Sequence, residues 1–250
     1  MAHARAGTLP ILVALALAVA LAAALAIAQP ATASEPRWAE AIGDHFRTLP
    51  PPADAPERWL LAHVDVETTG LAPGWHEMID IGVVITELDG TELDRLFLRI
   101  MPAHPDRLDP GAAAVNGFSV ARWQALGSIS EAEAVAALRA FHARVAGDRA
   151  VLFTAYNSWF DIAFVDHLFR AQDATWRELW HYHVLDVPSM AWGLGYRDLF
   201  GGSLADTLGI AAETRDPLQH TGITGAAANV EKYRALLERL AAEPAAPIHE

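Results

Sequence analysis

A run that reads as a buried strand, HVDVETTGL from His63 to Leu71, carries two carboxylates two positions apart. Side chains alternate along an extended chain, so Asp65 and Glu67 share one face, about 7 Å apart in Cα, and Val64 and Val66 share the other. Like charges so placed are costly unless they are solvated or meet a counterion. A solvated strand face is the plain reading of an isolated Asp-x-Glu. Here Thr68-Thr69-Gly70 makes a turn at the strand's end, where ligands of mixed and parallel sheets commonly bind, so the pair sits beside a natural cleft.

The rest of the pattern predicts an α/β fold. Trp59 to Val66 reads as a first strand, with Met78 to Leu88 and Glu92 to Met101 as two more around an Asp89-Gly90 turn, together a meander. Ser130 with Glu133 forms a capping-box pattern that opens a helix ending near Gly147. Strands follow at Ala150 to Ala155 and His183 to Leu185, with helices at Asp161 to Ala171 and from about Ile223 to Leu240. A meander followed by alternating helices and strands implies a mixed five-stranded sheet flanked by helices. The 250 residues suffice for one domain of ordinary size plus extras.

The first extra is an apolar leader. From Leu9 to Ala28 only Pro10 interrupts the apolar run, Arg5 precedes it, and Ala31-Thr32-Ala33 follows with small residues suited to cleavage. Residues 1–33 are therefore expected to be an export signal or, since about 20 helical residues cover roughly 30 Å, a membrane anchor. Either reading places the domain outside the cytoplasm, periplasmic or secreted, or anchored through residues 9–28. The mature N-terminus, read by mass spectrometry, separates the two. Residues 34–56 read as a short helix, with Trp38, Ile42 and Phe46 in phase, and a Pro-rich linker. The domain proper is expected over 57–242, followed by a tail at 243–250.

Several segments in order resemble the DEDDh-type 3′–5′ exonucleases, the ribonuclease H-like group that includes bacterial proofreading subunits, ribonuclease T and oligoribonuclease. VDVETTGL is similar to the first motif, EMIDIGVVI (77–85) to the second strand, and VNGFS (115–119) to a His-Gly-Ile turn with Asn116 in the histidine's place. YNSWFDIAFV (156–165) resembles the second motif, and HVLDVPSMAW and SLADTLGI follow in family order. The likeness runs from about Trp59 to about Leu240.

It implies a ribonuclease H-like fold and two-ion phosphodiester hydrolysis at the 3′ end of single-stranded DNA or short RNA. That chemistry asks for hard oxygen ligands for two divalent cations, Mg²⁺ or Mn²⁺. By carry-over Asp65 bridges both ions, Glu67 holds the one that activates water, and Asp161 supports the second. His220 takes the water's proton, a task suited to a group with a pKa near 6.5. Thr68 and Leu71 grip the 3′ nucleotide.

One motif departs from the family. A histidine is followed after four residues by an aspartate there, whereas HTGITG puts Gly225 in that place. Water could fill the position, an acid such as Glu213 or Asp216 could enter from the preceding loop, or the ion is lost. The last outcome makes the chain a catalytically inactive binding or interaction module at the cell envelope. No acid occurs between His220 and Glu231, and Asn229 is the one amide in reach.

The formal net charge of −13 and a single lysine, Lys232, argue against a protein that coats duplex nucleic acid. Contact should be local, short and assisted by cations. His181 and His183 stand at strand spacing but read as structural without a third ligand. The tryptophans read as core and cleft wall, with Trp75 near enough to the Thr-Thr-Gly turn to touch a terminal base.

Overall fold

The computed structural model describes residues 49–242. The leader, the predicted helix at 34–48 and the tail at 243–250 lie outside the described residues.

Five strands form one sheet: β1 (Trp59–Thr68), β2 (Met78–Thr86), β3 (Glu92–Arg99), β4 (Ala150–Ala155) and β5 (Val184–Asp186), in the order β3-β2-β1-β4-β5. β1, β2 and β3 are antiparallel neighbours, while β4 runs parallel to β1 and β5 parallel to β4. The mixed sheet expected from the sequence is therefore present. The β2–β3 turn uses Gly90 at φ 85°, a left-handed conformation that glycine adopts without steric penalty.

The helices among the described residues are α1 (Pro110–Asn116), α2 (Val120–Ala125), α3 (Glu131–Val145), α4 (Ser158–Arg170), α5 (Val187–Gly193), α6 (Gly201–Leu208) and α7 (Gly222–Ala242). The capping box opens α3: the Glu133 amide donates to Ser130 Oγ at 3.3 Å, and the Ser130 amide donates to Glu133 Oε2 at 2.8 Å. α1 and α2, which flank the VNGFS turn, are of two turns or fewer, too short to reveal a period in the sequence.

Alternation sorts the sheet into two faces. Ala62, Val64 and Val66 of β1, with Ile81, Val83 and Ile85 of β2, join Phe153, Phe164, Leu168 and Trp180 in the main core. Burying each large apolar side chain contributes roughly 1.5–3 kcal/mol. The other face carries His63, Asp65 and Glu67 of β1 and Asp80, Gly82 and Val84 of β2, and it is covered by α7 through Ala226 and Val230.

The helix reaches the sheet at a glycine seam. A Cβ on Gly82 would collide with the Gly222 backbone, and one on Gly222 would lie 2.5 Å from the Asp65 carbonyl oxygen and 2.6 Å from the Gly82 nitrogen. Backbone cannot yield as a side-chain tip can. Gly82→Ala is expected to lift the start of α7 from the sheet, at a cost of about 3 kcal/mol or more, read as a lowered urea midpoint with an unchanged slope. A midpoint equal to wild type would refute the seam.

Candidate active site

The acid pair opens onto a cleft beside the first turn of α7. Asp65 stands opposite Gly82 and Glu67 opposite Asp80, as antiparallel registry demands. The turn after β1 is closed by Thr68, whose buried hydroxyl donates to the Gly70 carbonyl at 2.7 Å. Leu71, one residue beyond that turn, is 81% exposed and lines the cleft.

Asp161 comes from α4. The segment before it turns at Asn157, in the left-handed region at φ 58°, which asparagine tolerates better than most residues. The Ser158 amide then donates to Asp186 Oδ1 at 3.0 Å, fastening the start of α4 to the end of β5. This sets Asp161 in the first turn, where Oδ1 accepts from the Val66 amide at 3.1 Å. Asp161 is tied to β1 between the two acids of the pair.

His220 stands two residues before α7. Its Nε2 lies 3.0 Å from Glu67 Oε1 and its Nδ1 lies 2.9 Å from the Thr214 carbonyl oxygen. Both ring nitrogens face acceptors, an arrangement that suits the imidazolium. The hydrogen bond to Glu67 is the main cause raising its pKa to about 9, with Glu213 adding to the effect.

A hollow of about 330 Å³ is lined by Asp65, Glu67, Asp161, His220, Glu213 and the cleft wall of Leu71, Trp159 and Phe160. A second, of about 280 Å³, adjoins it through Asp65, Tyr156, Glu213 and His220, and also reaches Arg215, Asn229 and Lys232. A larger one, of about 610 Å³, contains Met101, Gln124 and Ser130 but only one carboxylate, Glu131, and no basic group. The chemistry collects at the smaller two.

The carboxylates there are electrostatically frustrated. Burial first, then the charges of Asp161, Glu213, Glu67 and Asp80, push Asp65 well above the usual carboxylate range. Burial likewise raises Asp161, against the opposing bond from the Val66 amide. Asp80 is pushed up to about 7 by burial, although its Oδ1 accepts from the Gly222 amide at 2.8 Å. Its Oδ2 is buried without a hydrogen-bond partner among the described residues.

The structure thus brings Asp65, Glu67, Asp161, His220 and Leu71 to one cleft and leaves the Thr68 hydroxyl in the turn beneath it. Asn116, from the VNGFS turn, joins them, and Arg122 and Trp159, which carry no local signal, do as well. Asn116 Nδ2 donates to the Thr68 carbonyl at 3.0 Å and approaches Glu67 Oε2 at 3.4 Å. Arg122 donates to the carbonyls of Gly117 at 2.8 Å and Leu218 at 3.1 Å, stapling the Asn116 turn to the loop before His220. Trp159, 69% exposed, forms cleft wall. Trp75 instead stacks with Arg107 and takes no part in that wall. His181 is buried against Trp59, and its Nδ1 accepts from the His183 amide, a structural role.

Gly225 is not an open position. A Cβ there would collide with the Asp65 carboxyl group, coming within 2.9 Å even of Oδ1, its more distant oxygen. Asp65 occupies the space in which a side chain at 225 would begin. Among the described residues, no group of three His, Asp or Glu side chains is arranged to hold a metal ion. The acids are each drawn elsewhere: Glu67 to His220, Asp161 to the Val66 amide, Asp65 onto α7.

No protein-family model matches this sequence, and no curated relative matches it. Solved structures of exonuclease I are similar in fold. The zinc-bound complex of Escherichia coli exonuclease I with single-stranded DNA matches with a TM-score of 0.60 and 16% identity, over 74% of this chain and 41% of that one. The E. coli enzyme with a dT13 oligonucleotide gives 0.59 and 15%, over 73% and 41%. With a dA16 oligonucleotide the values are 0.59 and 16%, over 72% and 41%. This chain spans well under half the length of those proteins. Its described residues have the mixed-sheet α/β fold of exonuclease I, the ribonuclease H-like arrangement of five strands flanked by helices.

Proposed function

We propose that this domain is a metal-dependent exonuclease that removes nucleotides from the 3′ end of single-stranded DNA or short RNA. The observation that carries this reading is the convergence of Asp65, Glu67 and Asp161, from β1 and α4, on one cleft with His220 against Glu67. The complexes of similarly folded exonuclease I with oligonucleotides support it.

The donors are hard carboxylate oxygens, the type that Mg²⁺ or Mn²⁺ takes, and their burial among like charges pushes Asp65 and Asp161 well above the carboxylate range. Asp65, Glu67 and Asp161 would hold two such ions. When bound, these ions supply an activated water and charge stabilisation at the phosphate. His220 would act as the base: with the charge of Glu67 neutralised, the main cause of its raised pKa is gone and the imidazole would return toward the range in which it accepts a proton from water. Leu71 and Trp159 form an exposed apolar wall against which a base at a strand end would pack, and Thr68 shapes the turn that carries Leu71. The net charge of −13 limits contact to that short end. The apolar leader supports an activity outside the cytoplasm, on extracellular or periplasmic nucleic acid.

The seating of Asp65 on Gly225 favours a second reading, an inactive module that binds single strands without cutting. The deciding experiment incubates the purified protein with 5′-labelled single strands and Mg²⁺ or Mn²⁺. Stepwise shortening from the 3′ end is expected. Binding without shortening in either metal would leave only the binding module.

A further inference from the structure

The smaller hollow, of about 280 Å³, continues past the acids that it shares with the cleft. Gly201, Gly202, Arg215 and Lys232 line it without lining the cleft. Three positive features converge on that part, and among the described residues none of them is paired with a carboxylate.

The first is Lys232 of α7, only 5% exposed. Its ammonium stands 5.3 Å from the centre of the Tyr156 ring and makes no hydrogen bond or ion pair among the described residues. Burial lowers its pKa, and the charges of Glu213 and Asp65, at the end shared with the cleft, act the other way without coming within ion-pair distance. An ammonium has three protons to donate, and leaving them unused in a buried place is costly.

The second is the start of α6. Its N-cap, Phe200, provides no side-chain acceptor, and the first helical bond runs from the Leu204 amide to the Phe200 carbonyl at 2.8 Å. The amides of Gly201, Gly202 and Ser203 precede that bond, so the positive end of the helix is left open. A Cβ on Gly201 would lie 3.8 Å from the Tyr156 ring, which puts the helix start and Lys232 beside the same ring.

The third is Arg215, which is exposed and makes no hydrogen bond or ion pair among the described residues. Its Nη2 is 3.6 Å from the place of a Cβ on Gly202. A guanidinium against a helix N-terminus has the unfavourable sign, which an anion between them would reverse.

We propose that this hollow is an anion site for a phosphate group, with the Lys232 ammonium in its buried wall and Arg215 and the first amides of α6 at its rim. Two cations and a row of amides match the several oxygens and double charge of a phosphate monoester or of inorganic phosphate. Asp65 and Glu213 repel the ligand from the shared end.

The site does not require the neighbouring cleft to cut. The test is therefore titration calorimetry of the full chain at pH 7, in chelator and at fixed ionic strength, with inorganic phosphate, a nucleoside 5′-monophosphate and the bare nucleoside. Both phosphates should bind saturably and the nucleoside should not. Tighter binding of the monophosphate assigns the site to a nucleotide, and equal affinity assigns it to the free anion. Lys232→Met should weaken phosphate binding by about tenfold or more, and Arg215→Gln by about threefold or more. Gly202→Asp places an anion of the chain's own beside Arg215 and the helix start, and should abolish phosphate binding while raising the melting temperature. Circular dichroism verifies folding; if Lys232→Met does not fold, the two rim variants decide. No saturable phosphate binding in wild type, wild-type affinity in Arg215→Gln and Gly202→Asp, or a nucleoside that binds as tightly as its monophosphate overturns the proposal. Absence of 3′-end shortening, which sinks the exonuclease reading, leaves this site standing.

Discussion

Asp65→Asn is expected to remove 3′-end shortening, by on the order of a thousandfold or more, while raising the melting temperature of the metal-free protein at pH 8. The two effects have one cause. Asp65 lies among Asp161, Glu213, Glu67 and Asp80 and is pushed well above the carboxylate range, chiefly by burial. A carboxyl whose folded pKa exceeds its unfolded value contributes stability that is complete below the unfolded pKa and is lost as pH rises through the folded one. For Asp80 that window runs from 3.8 to about 7.

The metal-free wild type should therefore lose melting temperature between pH 5 and pH 8. The Asp65→Asn variant should lose less, and the two curves should converge below pH 3.8, where the Asp65 carboxyl is mostly neutral in the folded and unfolded chain alike. Because the Asp65 pKa is raised on folding, removing its ionisation is expected to raise the melting temperature at pH 8. Scanning calorimetry in chelator at pH 5 and pH 8, with a nuclease assay beside it, measures both. Retained cleavage, or a variant less stable than wild type at pH 8, would contradict this account of the site.

Supplying the acid that the resembled exonucleases carry should fail. Gly225→Asp adds a carboxylate near the N-terminus of α7, where the helix dipole favours it by about 0.3–1 kcal/mol. Its Cβ, however, enters the space held by the Asp65 carboxyl group, and overpacking in a closed site costs about 1–3 kcal/mol. Sterics win. The expected result is a lower melting temperature and about tenfold weaker Mn²⁺ binding, with Gly225→Ala reproducing the loss without the charge. Tighter Mn²⁺ binding or faster shortening in Gly225→Asp would show that Asp65 can vacate the position at little cost.

Much of the frame was legible because its signals are local. The alternation of Val64, Asp65, Val66 and Glu67, the Asp89-Gly90 turn and the Ser130/Glu133 capping box each lie within a few residues, and the structure realises all three. The order of the motifs led to the mixed sheet and to the cleft. At Gly225 the sequence leaves three outcomes open, a water, an acid such as Glu213 or Asp216 from the preceding loop, or loss of the ion, without a means to choose among them.

What the chain alone determined was which side chains share a strand face and which residues open the helices, since backbone geometry converts spacing directly into direction. Tertiary structure decided the rest. Asp80 meets the Gly222 amide across 142 positions, Asn229 meets the Val64 carbonyl across 165, and Arg122 meets Leu218 across 96. Gly225 read as a lost ligand in sequence and became a seat for Asp65 in space, because α7 crosses the sheet on glycines. No local pattern encodes how closely two backbones approach when the residues between them have no side chains.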